Sequence, residues 1–334
     1  MKFLNKILQK DPDFASLLKE IDKNRLPLVC TGLSLIHKAV ILKSVFDISG
    51  KKITVVTQDE ASAVELTADA KSLGLNAVNF PLRDYCLGDF SGYSKEYEHK
   101  RIDTLSRVLD GAFDVLLIPV DAAIQYTLPP NVLSDNIINV DSNDTINTVD
   151  FCQRLVDAGY VRSELCDGVG QFAVRGGIID VFATGNDYPV RIELWGDEVD
   201  SISYFDIESQ RRTDNVSKIK IHPANELPFN PIELSQKLNK YLQSSKKLTD
   251  DQKKYIREDV LALEAGLSVS ADLYIPFLYE KVATVFDYLS DTVKIVCESG
   301  NINERLKTHT ASLQGSIIPT IIPTIHYLIW RARR

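Results

Sequence analysis

Gly170-Gln171-Phe172-Ala173-Val174-Arg175-Gly176-Gly177-Ile178-Ile179-Asp180-Val181-Phe182 reads as two short β-rich runs, Phe172–Arg175 and Ile178–Phe182, joined by a glycine pair. Two further runs follow, Val190–Trp195 and Ser201–Phe205, with Gly185-Asn186-Asp187 and Gly196-Asp197 as punctuation. Glycine, Asn and Asp supply the backbone conformations that tight turns require, so the stretch predicts a strand-rich region. Within Val190–Trp195 the side chains alternate. Val190, Ile192 and Leu194 share one face, which is expected to pack inward, and Arg191, Glu193 and Trp195 share the other.

Outward from this region the pattern changes on both sides. Toward the N-terminus, apolar runs at Leu28–Cys30, Ile53–Val56, Ala77–Phe80 and Val115–Pro119 alternate with helical patterns, among them 61–73 and 96–109. That rhythm predicts a parallel sheet covered by helices. Pro129-Pro130 marks the change to the strand-rich part. After Pro223 helices return, including a charged one over 250–264, and a last strand is expected at Val293–Val296. The fold class is therefore α/β: a parallel-sheet domain formed by both ends of the chain, residues 1–130 and 226–334, with an α+β domain inserted at 131–225.

The 334 residues suit two or three units of about 100–150 residues each. With 44% apolar and 25% charged residues the balance is that of a soluble globular protein. The net charge of -8 excludes nucleic-acid binding through the global field. Five scattered cysteines, Cys30, Cys86, Cys152, Cys166 and Cys297, contain no C-x-x-C pair, which argues against a zinc site and for buried structural thiols in a reducing cytoplasm. The N-terminus, with Lys2, Lys6 and Lys10 and a helical pattern from Leu4 to Ile21, is not a signal peptide. Ile317–Trp330 is too short and too proline-broken to span a bilayer, so no membrane association is expected.

Gly32-Leu33-Ser34-Leu35-Ile36-His37-Lys38-Ala39 follows the first apolar run, where a P-loop would stand. Of the pattern G-x-x-x-x-G-K-[ST], Gly32 and Lys38 are in register. His37 replaces the second glycine, and its side chain would obstruct the phosphate cradle. Ala39 lacks the hydroxyl that coordinates Mg²⁺. Asp121, after the run ending at Val120, has no second acid beside it. The reading is a degenerate P-loop without ATP hydrolysis. A strand–turn–helix with no nucleotide history predicts the same silence.

The segment Gly168–Asn225 resembles the second domain shared by transcription-repair coupling factors and excinuclease B proteins. The shared signature is G-x-F/Y-x-x-R-G-G-I-x-D-V-F, then P-x-R-I-E-x-F-x-D-E-I-x-S-I, then F-D-x-x-x-Q-R-S. Here these stand at Gly170–Phe182, Pro189–Ile202 and Phe205–Arg211, and the Gln210-Arg211 ending favours the coupling-factor family. Weaker similarity covers nearly the whole chain, including Phe80-Pro81, Arg101 and Pro129-Pro130. Where excinuclease B inserts a long aromatic-rich hairpin, only a short stretch separates Tyr85 from Glu96, and Tyr93 and Tyr97 are isolated aromatics.

The resemblance implies a degenerate P-loop, RecA-like parallel-sheet domain and a chain that ends near Trp330, before the family's further domains. It implies a surface at Arg175, Arg191 and Trp195 that binds excinuclease A, with Trp195 standing where the family more often has Phe. It implies recruitment of excinuclease A to lesion-stalled RNA polymerase, with no catalysis or cofactor in this chain. ATP, Mg, DNA and RNA polymerase would be engaged by the missing translocase and polymerase-binding parts. Three alternatives compete: an excinuclease-B-type ATPase, opposed by His37 and Ala39; a DNA-binding module, opposed by the acidic balance; and a surface on which Arg191 forms only a salt bridge with Glu193 or Asp197.

Overall fold

The computed structural model describes residues 10, 12–23, 28–83, 95–246, 248–267 and 269–314. The expected N-terminal turn around Leu4–Leu8, Cys86, Tyr85, Tyr93 and the apolar stretch Ile317–Trp330 lie outside the described residues. In chain order the elements are α1 (Pro12–Asp22), α2 (Leu35–Ser49), β1 (Ile53–Thr57), α3 (Glu60–Ser72), β2 (Ala77–Asn79), α4 (Glu96–Leu109), β3 (Val115–Pro119), α5 (Val120–Ala123), α6 (Pro130–Asp135), β4 (Ile138–Asp141) and α7 (Thr148–Asp157). They continue with β5 (Val161–Arg162), β6 (Gln171–Arg175), β7 (Ile178–Val181), β8 (Val190–Trp195), β9 (Glu198–Phe205), β10 (Arg212–Val216) and β11 (Lys218–Ile221). The last are α8 (Pro231–Ser244), α9 (Asp250–Glu264), α10 (Ile275–Leu278), β12 (Val293–Val296) and α11 (Ser299–Gln314). The fold is mixed α/β, with one parallel sheet and two separate sheets built on antiparallel pairing.

The chain divides into two compact units, the first drawn from residues 1–82, 107–125 and 288–311. Its sheet has the order β12-β1-β3-β2, parallel throughout, so a strand from the C-terminal part pairs with β1 in the register Ile53↔Val293. β3 is buried at all five positions, as a strand covered on both faces must be. One face packs on Ala39, Leu42 and Val45 of α2 and Ala63, Leu66 and Ala70 of α3. Small residues on both helices let the backbones approach the sheet. The Asp59 side chain accepts from the Ser62 amide and caps α3, a contact worth about 1 kcal/mol. The expected first strand is absent: Leu28–Cys30 is irregular, and Val29 is 88% exposed. Apolar character alone does not make a strand without a neighbour to pair with. Cys30 is accordingly exposed rather than buried, and Cys152 and Cys297 are only partly covered; Cys166 is buried as expected.

The second unit contains 83–106 and 126–287. Its six-stranded sheet runs β10-β9-β8-β7-β6-β5, antiparallel except for the β5–β6 edge. Phe172, Ile179, Val181, Val190, Ile192 and Ile202 bury one face of this sheet, with Phe151 and Leu155 of α7 and the β4–β11 pair in the same core. Helices α8 and α9 form a separate apolar cluster through Leu234, Leu238, Ile256 and Val260, joined by Tyr274 from the segment after them. A reciprocal cap between Thr249 and Gln252 opens α9. Among the described residues no helix is long and apolar enough to cross a membrane.

Candidate functional site

The far face of the six-stranded sheet carries the charged residues. Register places Asp180 of β7 directly between Ala173 on β6 and Arg191 on β8, and Ile178 between Arg175 and Glu193. Asp180 points away from the main core yet is only 1% exposed. Its Oδ1 accepts from Arg191 Nε at 2.7 Å. Its Oδ2 accepts from Arg191 Nη2 at 2.9 Å and from Arg175 Nη2 at 2.6 Å. One carboxylate thus joins two guanidiniums.

Arg191 is held on two further sides. Its Nη1 donates to the Gln210 carbonyl at 3.2 Å, and its guanidinium carbon lies 4.5 Å from the centre of the Phe205 ring. Phe205 belongs to a small second core with Cys166, Ala173 and Phe182. Gln210 reaches Arg191 by adopting φ 58°, a left-handed conformation rarely taken by a residue with a side chain. The hydrogen bond to Asp180 pushes Arg191 above the usual guanidinium range, against the opposing effect of burial. Burial, helped by the Asp180 charge, pushes the Cys166 thiol up to about 12, so it stays neutral and unreactive.

Both turns at this end of the sheet require glycine. Gly196 ends β8 at φ 65°. A Cβ on Gly177 would stand 2.8 Å from the Leu194 carbonyl, and the Leu194 amide donates to the Gly177 carbonyl at 2.7 Å. The β6–β7 turn therefore lies against β8. By strand spacing this sets Arg175 within roughly 12 Å of Trp195. Trp195 is 82% exposed. Glu193, between Arg191 and Trp195 on this face, pairs with Arg212 and accepts from Ser201 Oγ at 3.2 Å. Glu198 stands directly across from Trp195, so the three arginines are balanced by carboxylates; what the surface offers is the exposed Arg175 guanidinium and a bare indole, a pair suited to anchoring a protein partner.

Of the three residues that the sequence assigns to this surface, Trp195 and Arg175 are exposed, with the Arg175 side chain at 46%, whereas the Arg191 side chain is at 11%. Arg191 shares the face but lies beneath the loop that carries Gln210. Its cross-strand partner is Asp180 rather than Glu193 or Asp197. Asp180 and Gln210 both stand within the family signature, but their contacts depend on strand register and loop closure, which local spacing does not encode.

In the first unit, Gly32 takes φ 79° and Ser34 is the N-cap residue of α2. The helix begins at Leu35, so the positions that would form a wide phosphate loop are already wound into helix. Ser34 Oγ lies 3.0 Å from His37 Nδ1, and Ala39 is fully buried in the core. Lys38 Nζ is 2.5 Å from Glu298 Oε1, at one side of a cavity of about 240 Å³ that Gln58, Cys297 and Asn301 also line. Asp121 accepts from Arg305 Nε at 2.8 Å.

Residues 138–227, which include the entire Arg175–Asp180–Arg191 arrangement and Trp195, match the UvrB interaction domain. Over most of its length the chain is similar to transcription-repair coupling factors. That of Bacillus subtilis (strain 168) is 30% identical over 318 residues, which cover 91% of this chain and 27% of the relative. That of Staphylococcus epidermidis (strain RP62A) is 27% identical over 300 residues, 86% of this chain and 26% of the relative. That of Staphylococcus aureus (strain USA300) is 25% identical over 337 residues, 96% and 28% respectively. The chain spans about a quarter of the length of these curated relatives.

Proposed function

We propose that this chain is a recruiting module that binds excinuclease A and brings it to lesion-stalled RNA polymerase. The observation that carries the reading is the exposed Arg175, tied through Asp180 to Arg191, on the same face as the exposed Trp195, all inside the matched UvrB interaction domain. In this reading the chain works in the cytoplasm and has no cofactor and no catalytic step of its own. RNA polymerase, DNA, ATP and magnesium are engaged by the parts of the relatives that lie beyond it. The region of Gly32, His37, Lys38 and Ala39 is a degenerate P-loop. The early start of α2 and the pairing of Lys38 with Glu298 support its silence toward nucleotide.

Titration of the 334-residue chain into excinuclease A tests the reading. Binding is expected for the wild type and is expected to fall by about tenfold or more in the Arg175→Ala, Trp195→Ala double variant. A double variant that binds like the wild type removes the surface from the account. ATP turnover that disappears in Lys38→Ala would instead favour an excinuclease-B-type ATPase. Duplex DNA is expected to bind weakly, given the net charge of -8, and to be released as salt rises.

A further inference from the structure

Arg175 and Arg191 differ in how many directions hold them. A guanidinium has five N–H donors. Arg191 directs Nε and Nη2 to Asp180 and Nη1 to the Gln210 carbonyl, and its plane rests on Phe205. Among the described residues the Arg175 side chain makes one hydrogen bond, from Nη2 to Asp180 Oδ2, and nearly half of it faces solvent. The same carboxylate oxygen takes both arginines, so the position of Arg175 is referred through Asp180 to the immobilised Arg191. The trio carries two positive charges and one negative charge, and the uncompensated charge is at the exposed end.

We propose that Asp180 is the positioning residue of this surface, holding Arg191 as an inner strut and orienting Arg175 so that its free donors meet a carboxylate of the bound protein beside Trp195. A carboxylate is the group that matches a guanidinium fork with two parallel hydrogen bonds. Holding that fork in place before contact removes ordering from the cost of binding. Asp180 need not touch the bound protein to do this.

The inference rests on the reading that this surface binds excinuclease A, and the experiment separates the two. Asp180→Asn, Arg175→Ala and their double variant are made in the full 334-residue chain, and affinity for excinuclease A is measured together with thermal unfolding. Each single change is expected to weaken binding by about tenfold, and the double variant is expected to be within about twofold of Arg175→Ala alone. A double variant whose loss is the product of the two single losses overturns the positioning role. Asp180→Glu covers the case in which Asp180→Asn does not fold: it keeps the charge but shifts the oxygens by a methylene. Weakened binding of a folded Asp180→Glu protein is the expected result, and wild-type affinity overturns the proposal. The nitrogen resonances of a selectively labelled Arg175 give an arm independent of excinuclease A. Distinct Nη signals in the wild type should merge in Asp180→Asn as rotation about Cζ–Nε is freed. Unchanged signals would refute Asp180 as the tether even if excinuclease A proved not to be the bound protein.

Discussion

Two carboxylates in the second unit each sit between two arginines, and they have opposite surroundings. Glu226 accepts from Arg101 Nε at 2.8 Å and from Thr127 Oγ1 at 2.8 Å, and it pairs with Arg83; all four side chains are buried. Its own amide donates to Glu98 Oε1 at 2.7 Å. Asp180 is equally buried, but the chain of contacts leads from it through Arg191 to the exposed Arg175. The first arrangement is closed: its charges join α4 to the segments around Thr127 and Glu226. The second is open at one end. Identical chemistry serves cohesion in one place and, in the proposed reading, presentation in the other, and exposure of the arginines distinguishes them.

The largest effect is expected from opening the closed cluster. Glu226→Ala leaves two buried guanidiniums without their carboxylate and should cost about 3–5 kcal/mol in chemical denaturation. Burial alone would raise the Glu226 carboxyl, but Arg101 and then Arg83 overcome it and hold the group at about 2, against an ordinary value of 4.5. A lowered folded-state value means that the contribution is complete above the unfolded value and is lost as pH falls from about 4.5 toward 2. Acid titration of wild type and Glu226→Gln should show this window in the wild type, with its amplitude reduced in the variant. Equal acid profiles would show that Glu226 is not the group concerned.

The two arginines of the open cluster should separate next. Arg191→Ala strips Asp180 of two hydrogen bonds and removes the cover of Phe205, so a loss of about 2–3 kcal/mol is expected. Arg175→Ala leaves the Arg191 bonds in place and should cost less than about 1 kcal/mol. Equal losses would erase the distinction between strut and presented residue. Trp195→Ala, at the exposed limit of the same face, should change unfolding by less than about 0.5 kcal/mol while weakening excinuclease A binding by about tenfold. A large shift in its melt would make the indole a packing residue.

The contrast also explains what the sequence can disclose. Period-two alternation places Val190 and Ile192 inward and Arg191 and Trp195 on the other face, because side-chain direction along a strand is a local property. Helical spacing locates α4 and α9, and the β-rich run at Val293–Val296 forms β12. Asp180 as the partner of Arg191 is not legible: the residues are eleven positions apart, and only the register Asp180↔Arg191 selects it over the nearer Glu193. Glu226 is hidden in the same way, since its partners Arg83 and Arg101 lie more than a hundred positions away. Leu28–Cys30 misleads for the complementary reason, since an apolar run lacks the pairing that makes a strand. The site is therefore visible in the sequence as residue types on a face, and invisible as a chain of contacts.

A last effect concerns the backbone that closes the open cluster from above. Gln210 adopts φ 58° while its carbonyl accepts from Arg191, and its side chain donates from Nε2 to the Ile207 carbonyl at 2.8 Å. A left-handed conformation costs a residue with a Cβ about 1 kcal/mol, and glycine avoids that cost. Gln210→Ala and Gln210→Gly both lose the side-chain bond, so their difference isolates the backbone. The glycine variant is expected to be the more stable of the two by about 1 kcal/mol or less, because part of the relieved strain is offset by the greater freedom of glycine in the unfolded chain. Since the carbonyl remains in both, excinuclease A binding should stay close to wild type in the glycine variant. An alanine variant as stable as the glycine one would mean that the loop relaxes out of the left-handed region. Arg191 would then lose its third contact, and the closure over the strut would have to come from Phe205 alone.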